Sequence, residues 1–328
     1  MKRRTFVTGI SLGVAGIPLA ATAQPAKTPV RIGFLPFGKP SNTYDQSLVE
    51  GFRQGLREGG LVEDRDVVLD IVWIDNESEI PQAVSDLVGR GARLLIPVGT
   101  SASTVVKRQV TTIPILFINV GNPVGIGLVE SLSRPGGNIT GFSDMLADLS
   151  GKYVELAREL GEPQGVVNYL WYTEWADGQN RFQYSERAAQ SLGVKLGSRG
   201  IKDIAEAKDV LASMKAGGAL TVIIQPSPFT YRHRISLIDS AMNNGLATIF
   251  GFPAAGRNGA LIAYGPDYLD TYRRTPAYIK RILEGVKPSD LPVQQPTKFE
   301  FIINLKTARA LGLTVPQTLL ARANEVIE

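Results

Sequence analysis

The residues best placed to do chemistry sit in short loops that follow apolar runs. The densest of these is Pro97-Val98-Gly99-Thr100-Ser101-Ala102-Ser103-Thr104, where a strand-like run gives way to a helical pattern. Free N–H groups at a helix start, with Gly99 and the hydroxyls of Thr100, Ser101 and Ser103 around them, make a seat for a carboxylate or phosphate. The same hydroxyls would serve equally as ordinary helix caps. A second strand end, Asn119-Val120-Gly121-Asn122-Pro123-Val124-Gly125, offers close backbone approach at Gly121 and an amide at Asn122. A tight turn explains both as well. Its glycines match neither a P-loop nor a dinucleotide fingerprint, so no cofactor is expected.

Trp171-Tyr172-Thr173-Glu174-Trp175 holds two of the three tryptophans, directly after another apolar run. Trp171, Tyr172 and Trp175 there could sandwich a flat ligand, with Glu174 meeting a cation, or could simply pack on the core. Phe37, Ser41 and Tyr44 follow the first strand and face the same choice. Gln225 and Phe252 follow later strands as candidate lining residues. Lys39, Arg257 and Arg232-His233-Arg234 read as solvated surface charge.

Reactive chemistry is sparse. The 328 residues contain no Cys and a single His, His233. Disulfides, thiolate nucleophiles and Cys-ligated metals are therefore excluded, and a Ser–His triad or a His-rich metal site is disfavoured. No carboxylate pair is tied to a strand end beside a nucleophile. The pattern is that of a binder rather than an enzyme, with neither a metal nor a cofactor.

These loops need elements to position them. Apolar runs at Val30–Leu35, Val67–Ile74, Leu94–Val98 and Ile115–Val120 read as strands. Helical spacing marks Tyr44–Leu56, Ile80–Val88 and Ser101–Gln109 between them. After Pro135-Gly136-Gly137-Asn138 the rhythm restarts. Strands are expected at Val166–Trp171, Val194–Leu196, Ala219–Ile224, Ala247–Phe250, Ala260–Tyr264 and Phe299–Ile303. Helices are expected at Leu149–Leu160, Ser185–Leu192, Ile204–Met214, Ile235–Met242, Tyr268–Leu283 and Leu305–Leu311. Such alternation implies an α/β fold of two doubly wound parallel-sheet lobes with a ligand cleft between them. Ligands in such sheets bind beyond the carboxyl ends of the strands, where the candidate loops lie.

The charge balance adds an address. Lys2, Arg3 and Arg4 precede a mildly apolar, Gly-rich stretch and Ala21-Thr22-Ala23, the three parts of a signal peptide. Arg3-Arg4-Thr5-Phe6 has the look of a twin-arginine signal, with general secretion as the alternative. Cleavage after Ala23 is expected to leave a periplasmic protein. Of the 35 Lys and Arg, removing those three leaves 32 against 31 acids, so nothing favours nucleic acid as a partner. No later run is long enough to span a membrane, and no lipobox cysteine offers an anchor.

Several stretches together resemble one family. They are Gly51-Phe52-Arg53-Gln54-Gly55-Leu56-Arg57-Glu58, Gly127-Leu128-Val129-Glu130-Ser131-Leu132, Arg134-Pro135-Gly136-Gly137-Asn138-Ile139-Thr140-Gly141, Tyr264-Gly265-Pro266, Gln295-Pro296-Thr297-Lys298-Phe299-Glu300 and Ile303-Asn304-Leu305-Lys306-Thr307-Ala308. Together they are similar to the substrate-binding proteins of tryptophan/tyrosine-type ABC importers, which have the type I periplasmic-binding-protein fold. The resemblance implies a monomer whose lobes are residues 29–141 plus 258–296 and 142–257 plus 297–328, joined by three hinge crossings. It implies a small aromatic or amino-acid-like ligand, trapped by hinge closure and delivered to an ABC permease. Thr100, Ser101 and Ser103 would take the ligand carboxylate, with Gly121 and Asn122 alongside and Tyr264 among the lining. A sensor subunit of the same fold, or an exported enzyme, are the alternatives. Asn122 stands where many relatives carry Asp, and Gly251-Phe252-Pro253-Ala254-Ala255 where they carry an acidic loop. Glu174 or Asp144 would then have to face an ammonium group, and the expected ligand shifts toward an acid without an amine.

Overall fold

The computed structural model describes residues 28–161, 166–175 and 178–328; the leader expected at residues 1–23 lies outside them. The first unit runs β1 (Val30–Leu35), α1 (Thr43–Glu58), β2 (Val67–Ile71), α2 (Ile80–Gly89), β3 (Leu94–Pro97), α3 (Thr100–Gln109), β4 (Ile115–Val120) and β5 (Ile139–Ser143). Its five strands lie in the order β2-β1-β3-β4-β5, all parallel. Alternate residues go to opposite faces, as strand geometry requires. Ile32, Phe34, Leu94, Ile96, Leu116 and Ile118 meet α1 on one side. Leu35, Leu95, Ile115 and Phe117 meet α2 and α3 on the other. Both faces are covered, so these strands read as near-continuous apolar runs.

The second unit repeats the plan. It runs α4 (Ser150–Glu159), β6 (Val166–Tyr172), α5 (Gly178–Ser191), β7 (Lys195–Ile201), α6 (Ala205–Ala216), β8 (Thr221–Ile224) and α7 (Pro228–Arg232). Then come α8 (Arg234–Asn243), β9 (Ala247–Phe250), α9 (Pro253–Arg257) and β10 (Ile262–Pro266). Strands β7-β6-β8-β9-β10 are parallel in the same order as the first sheet. Two further strands extend it, β11 (Phe299–Asn304), antiparallel to β10, and β12 (Glu325–Ile327). Helices α10 (Tyr268–Arg274), α11 (Pro276–Leu283), α12 (Leu305–Ala310) and α13 (Gln317–Leu320) complete the chain.

The polypeptide passes between the sheets three times. It leaves β5 for α4, leaves β10 for α10, and returns from Gln294 to β11. Gln294 is hydrogen-bonded along β5, its N–H to the Gly141 carbonyl at 2.9 Å. Helix α10 packs back on α1 so closely that a Cβ at Gly55 would collide with the Arg273 carbonyl.

Several sequence expectations change, α5 starting at Gly178 and β7 running on to Ile201 among them. Residues 258–266 belong with the second sheet, because β10 pairs with β9 and β11; the crossing falls after β10 rather than near Gly259. The helix expected over Tyr268–Leu283 is two helices, broken at Pro276, whose ring nitrogen has no N–H to continue the ladder. The stretch at Ile139–Ser143, which follows the Pro-Gly-Gly-Asn punctuation, is a fully buried edge strand. Among the described residues, no helix is long and apolar enough to cross a membrane.

Candidate ligand-binding site

A cavity of about 80 Å³ opens where the carboxyl ends of both sheets face each other. That is several times the ~10–15 Å³ that holds one water, so a multi-atom ligand fits. Its lining comes from the ends of strands in both units. Phe37 follows β1, Gly99 and Thr100 follow β3, Asn119 is in β4, and Asp144 follows β5. From the other side come Trp175 after β6, Ser227 after β8, Phe252 after β9 and Tyr268 after β10. One apolar cluster runs from Phe34 and Phe52 of the first unit to Leu170 and Phe250 of the second, through Tyr231, Phe252 and Tyr268.

Helix α3 starts at the cavity wall. Its N-cap is Gly99, at φ 86°, which gives no side-chain cap. Thr100 and Ser101 are therefore not caps, and the first-turn N–H groups have no side-chain acceptor of that kind. The Ser101 hydroxyl instead donates to Glu77 Oε1 at 2.8 Å. Ser103 is fully buried and bonds back to the Gly99 carbonyl at 2.7 Å, away from the cavity.

Opposite, Arg181 of α5 reaches the cavity while almost completely buried, its guanidinium 5.1 Å from the Trp175 ring. Gly121 is what allows this: a Cβ there would collide with Arg181 Nη2. Asp144 is also buried, with one carboxylate oxygen accepting the Leu146 N–H at 3.1 Å. Aromatic walls close the remainder, including Tyr231 edge-on to Phe252 at 5.1 Å. The Tyr231 hydroxyl donates to Asp45 Oδ1 at 2.5 Å, bridging the two units. Burial, then the Asp45 charge, hold the Tyr231 pKa well above its usual value, so the hydroxyl remains a donor.

Of the sequence candidates, Phe37, Gly99, Thr100, Ser101, Asp144, Trp175 and Phe252 come together in this cavity. The others do not line it. Ser41 is an exposed turn residue. Tyr44, in the first turn of α1, packs against the core, with Leu48 one turn on reaching the cavity instead. Asn122 spends its carbonyl on the Gly125 N–H at 2.9 Å, the turn alternative. Trp171 stacks on Phe182, Tyr172 stacks on Phe229 at 4.1 Å, and Glu174 is exposed beside Thr173. Gln225 is fully buried and ties β8 to the Gly178 carbonyl, leaving its neighbours Pro226 and Ser227 at the cavity. Tyr264 stacks on Phe299 within the sheet. The sequence reading missed Arg181, Tyr231, Tyr268 and Tyr272 as lining residues. An earlier start for α5 and a Pro-initiated α7 were the signals that would have found the first two.

Fold and site define a class, that of two-lobed ligand-binding proteins with the type I periplasmic-binding architecture. The chain belongs to the ABC transporter substrate binding protein family, whose model matches residues 42–327. It is 24% identical over 266 residues to a tyrosine-binding protein of Clostridioides difficile (strain R20291), covering 80% of this chain and 76% of the relative. It superposes with a TM-score of 0.81 on an ABC domain in complex with L-Trp from Streptococcus pneumonia, at 23% identity, covering 91% of this chain and 100% of the other. Against the ligand-free, open form of a substrate-binding protein with adhesive properties from Clostridium difficile the TM-score is 0.68. Identity there is 20%, with 91% and 99% covered.

Proposed function

We propose that this chain captures an aromatic L-amino acid between its lobes and hands it to the permease of an ABC importer. The observation that carries this reading is the composition of the cavity: a helix start without a side-chain cap, aromatic walls, and both Asp144 and Arg181 at its lining. The ligand carboxylate rests on the first-turn N–H groups of α3. Its flat side chain packs against Phe37, Trp175 and Phe252. Asp144 opposes the ammonium, since a buried cation needs a partner. That assignment replaces the expectation of a ligand without an amine, which rested on the acidic positions lost at Asn122 and the Phe252 loop. The ligands named for the tyrosine-binding relative and the tryptophan complex support the same class.

Capture is by rigid-body closure of the two lobes about the three crossings. Export belongs to the same reading: the leader is cut after Ala23, and the mature protein works as a monomer in the periplasm. Calorimetry with L-tryptophan, L-tyrosine and L-phenylalanine tests it, together with X-ray scattering. A one-to-one complex and a smaller radius of gyration on binding are expected. Ligand at a hundredfold over Kd should raise stability by about 2.7 kcal/mol. Failure of all three amino acids to bind, alongside binding of a non-aromatic solute, would sink the proposal.

A further inference from the structure

Asn119, the penultimate residue of β4, has φ at 57°, a left-handed conformation that Asn tolerates better than most residues but not without cost. Asn119 is among the residues that line the cavity. Its Oδ1 is shielded from solvent and has no hydrogen-bond partner among the described residues. Folded proteins rarely leave a buried carbonyl in that condition without a reason. Neighbouring polar side chains are engaged elsewhere: Ser101 donates to Glu77, Ser103 to the Gly99 carbonyl, and Asn122 accepts from the Gly125 N–H. Asn119 thus combines backbone strain with an unsatisfied acceptor, and such costs gather at functional positions.

Its place indicates what it awaits. The Gly99 N–H donates to the Ile118 carbonyl at 2.8 Å, which sets Asn119 beside the start of α3. A carboxylate held on that helix start carries its α-substituent next to Asn119. In an amino acid that substituent is the ammonium, whereas an indole or phenol donor lies a side chain's length away. Resting on the amino-acid reading above, we propose that Asn119 is a specificity-determining residue whose Oδ1 accepts an N–H of the ligand's α-ammonium. Asp144 supplies the opposing charge; Asn119 supplies direction. The pair separates α-amino acids from desamino acids with the same side chain, because the analogue leaves a buried acceptor unsatisfied.

The test measures two affinities by calorimetry on the full chain: L-tryptophan and 3-(indol-3-yl)propionate. L-Tyrosine and its desamino analogue replace them if the wild type binds tyrosine tighter. Wild type should favour the amino acid. Asn119→Gly, which removes the carbonyl and suits a positive φ, should narrow the ratio at least tenfold, mainly by weakening the amino acid. Asn119→Asp, which presents an acceptor whichever way the amide is turned, should keep the ratio or widen it, and decides the matter if the glycine variant folds poorly. Equal wild-type affinity for the two ligands, equal weakening of both in Asn119→Gly, or a ratio lost in Asn119→Asp overturns the inference alone. If wild type binds no aromatic amino acid, the functional reading fails and takes this inference with it.

Discussion

Trp175 and Ser101 both line the cavity, yet their side chains are committed very differently. Trp175 is 8% exposed and gives its ring to the cleft and to Arg181. Trp175→Ala should therefore weaken binding of an aromatic amino acid by about 2 kcal/mol or more, the range of a buried aromatic anchor. The single proton of Ser101 is given to Glu77. Ser101→Ala should then change the affinity by less than about tenfold, roughly the worth of one neutral hydrogen bond. Calorimetry on both variants checks the contrast; a larger loss at Ser101 would mean that its hydroxyl leaves Glu77 when ligand arrives. Residue types immediately after strands were legible in sequence, which is why Phe37, Gly99, Trp175 and Phe252 were found. What a side chain faces was not legible. Trp171 is still inside β6 while Trp175 lies in the turn beyond it, and of the two only Trp175 meets the cleft. Arg181 was hidden for a related reason: nothing in the sequence says that Gly121 is small to admit a guanidinium from the other lobe.

Between elements, a short polar link across the cleft joins α1 to α7 and α8. Asp45 accepts the Tyr231 hydroxyl at 2.5 Å and lies 3.8 Å from the Arg234 guanidinium, with Asp45 3% and Arg234 4% exposed. Asp45 also accepts the Lys39 N–H at 3.0 Å, and Arg234 holds Asn258 and the Tyr231 carbonyl. Removing one partner of a buried pair strands the other, at a typical cost of about 3–5 kcal/mol. Asp45→Ala should therefore lower the denaturation midpoint. Because the pair spans both lobes, the proposed closure predicts that the variant also binds ligand more weakly, biased toward an open form. Glu58→Gln, which breaks an exposed pair with Arg273 inside one lobe, should leave affinity unchanged. Unaltered affinity in Asp45→Ala would show that the pair supports folding but not closure. The elements themselves were largely readable, with β1, β4 and β9 matching residue for residue. Those buried on both faces announce themselves as apolar runs; β5, with Thr140 and Gly141 inside it, does not, and its Thr140 hydroxyl is satisfied by the Leu291 carbonyl far along the chain.

At the scale of the whole molecule, one ionisation pattern ties the lobes to pH. Tyr44, Tyr153, Tyr231, Tyr268 and Tyr272 all have their pKa raised, in each case first by burial. Tyr231 and Tyr268 line the cleft, Tyr44 begins α1 with Tyr272 in the same apolar cluster, and Tyr153 is in the core of the second lobe. In the unfolded chain these groups titrate near pH 10. A group whose pKa is higher when folded binds more protons in the native state above that point, so stability falls as pH rises. The stabilisation is fully present below about pH 10 and is lost progressively above it. Urea midpoints should accordingly hold level from pH 7 to about 9 and decline steeply beyond about 10. Tyr153→Phe isolates one contribution. Its hydroxyl has no hydrogen-bond partner among the described residues, so the variant should be near wild-type in stability at neutral pH. Every tenfold difference in proton affinity between the folded and unfolded chain is worth about 1.4 kcal/mol, so the alkaline decline should be measurably shallower without Tyr153. Midpoints that stay level to pH 11, or an unchanged slope in Tyr153→Phe, would mean that the buried tyrosines reach solvent before they ionise.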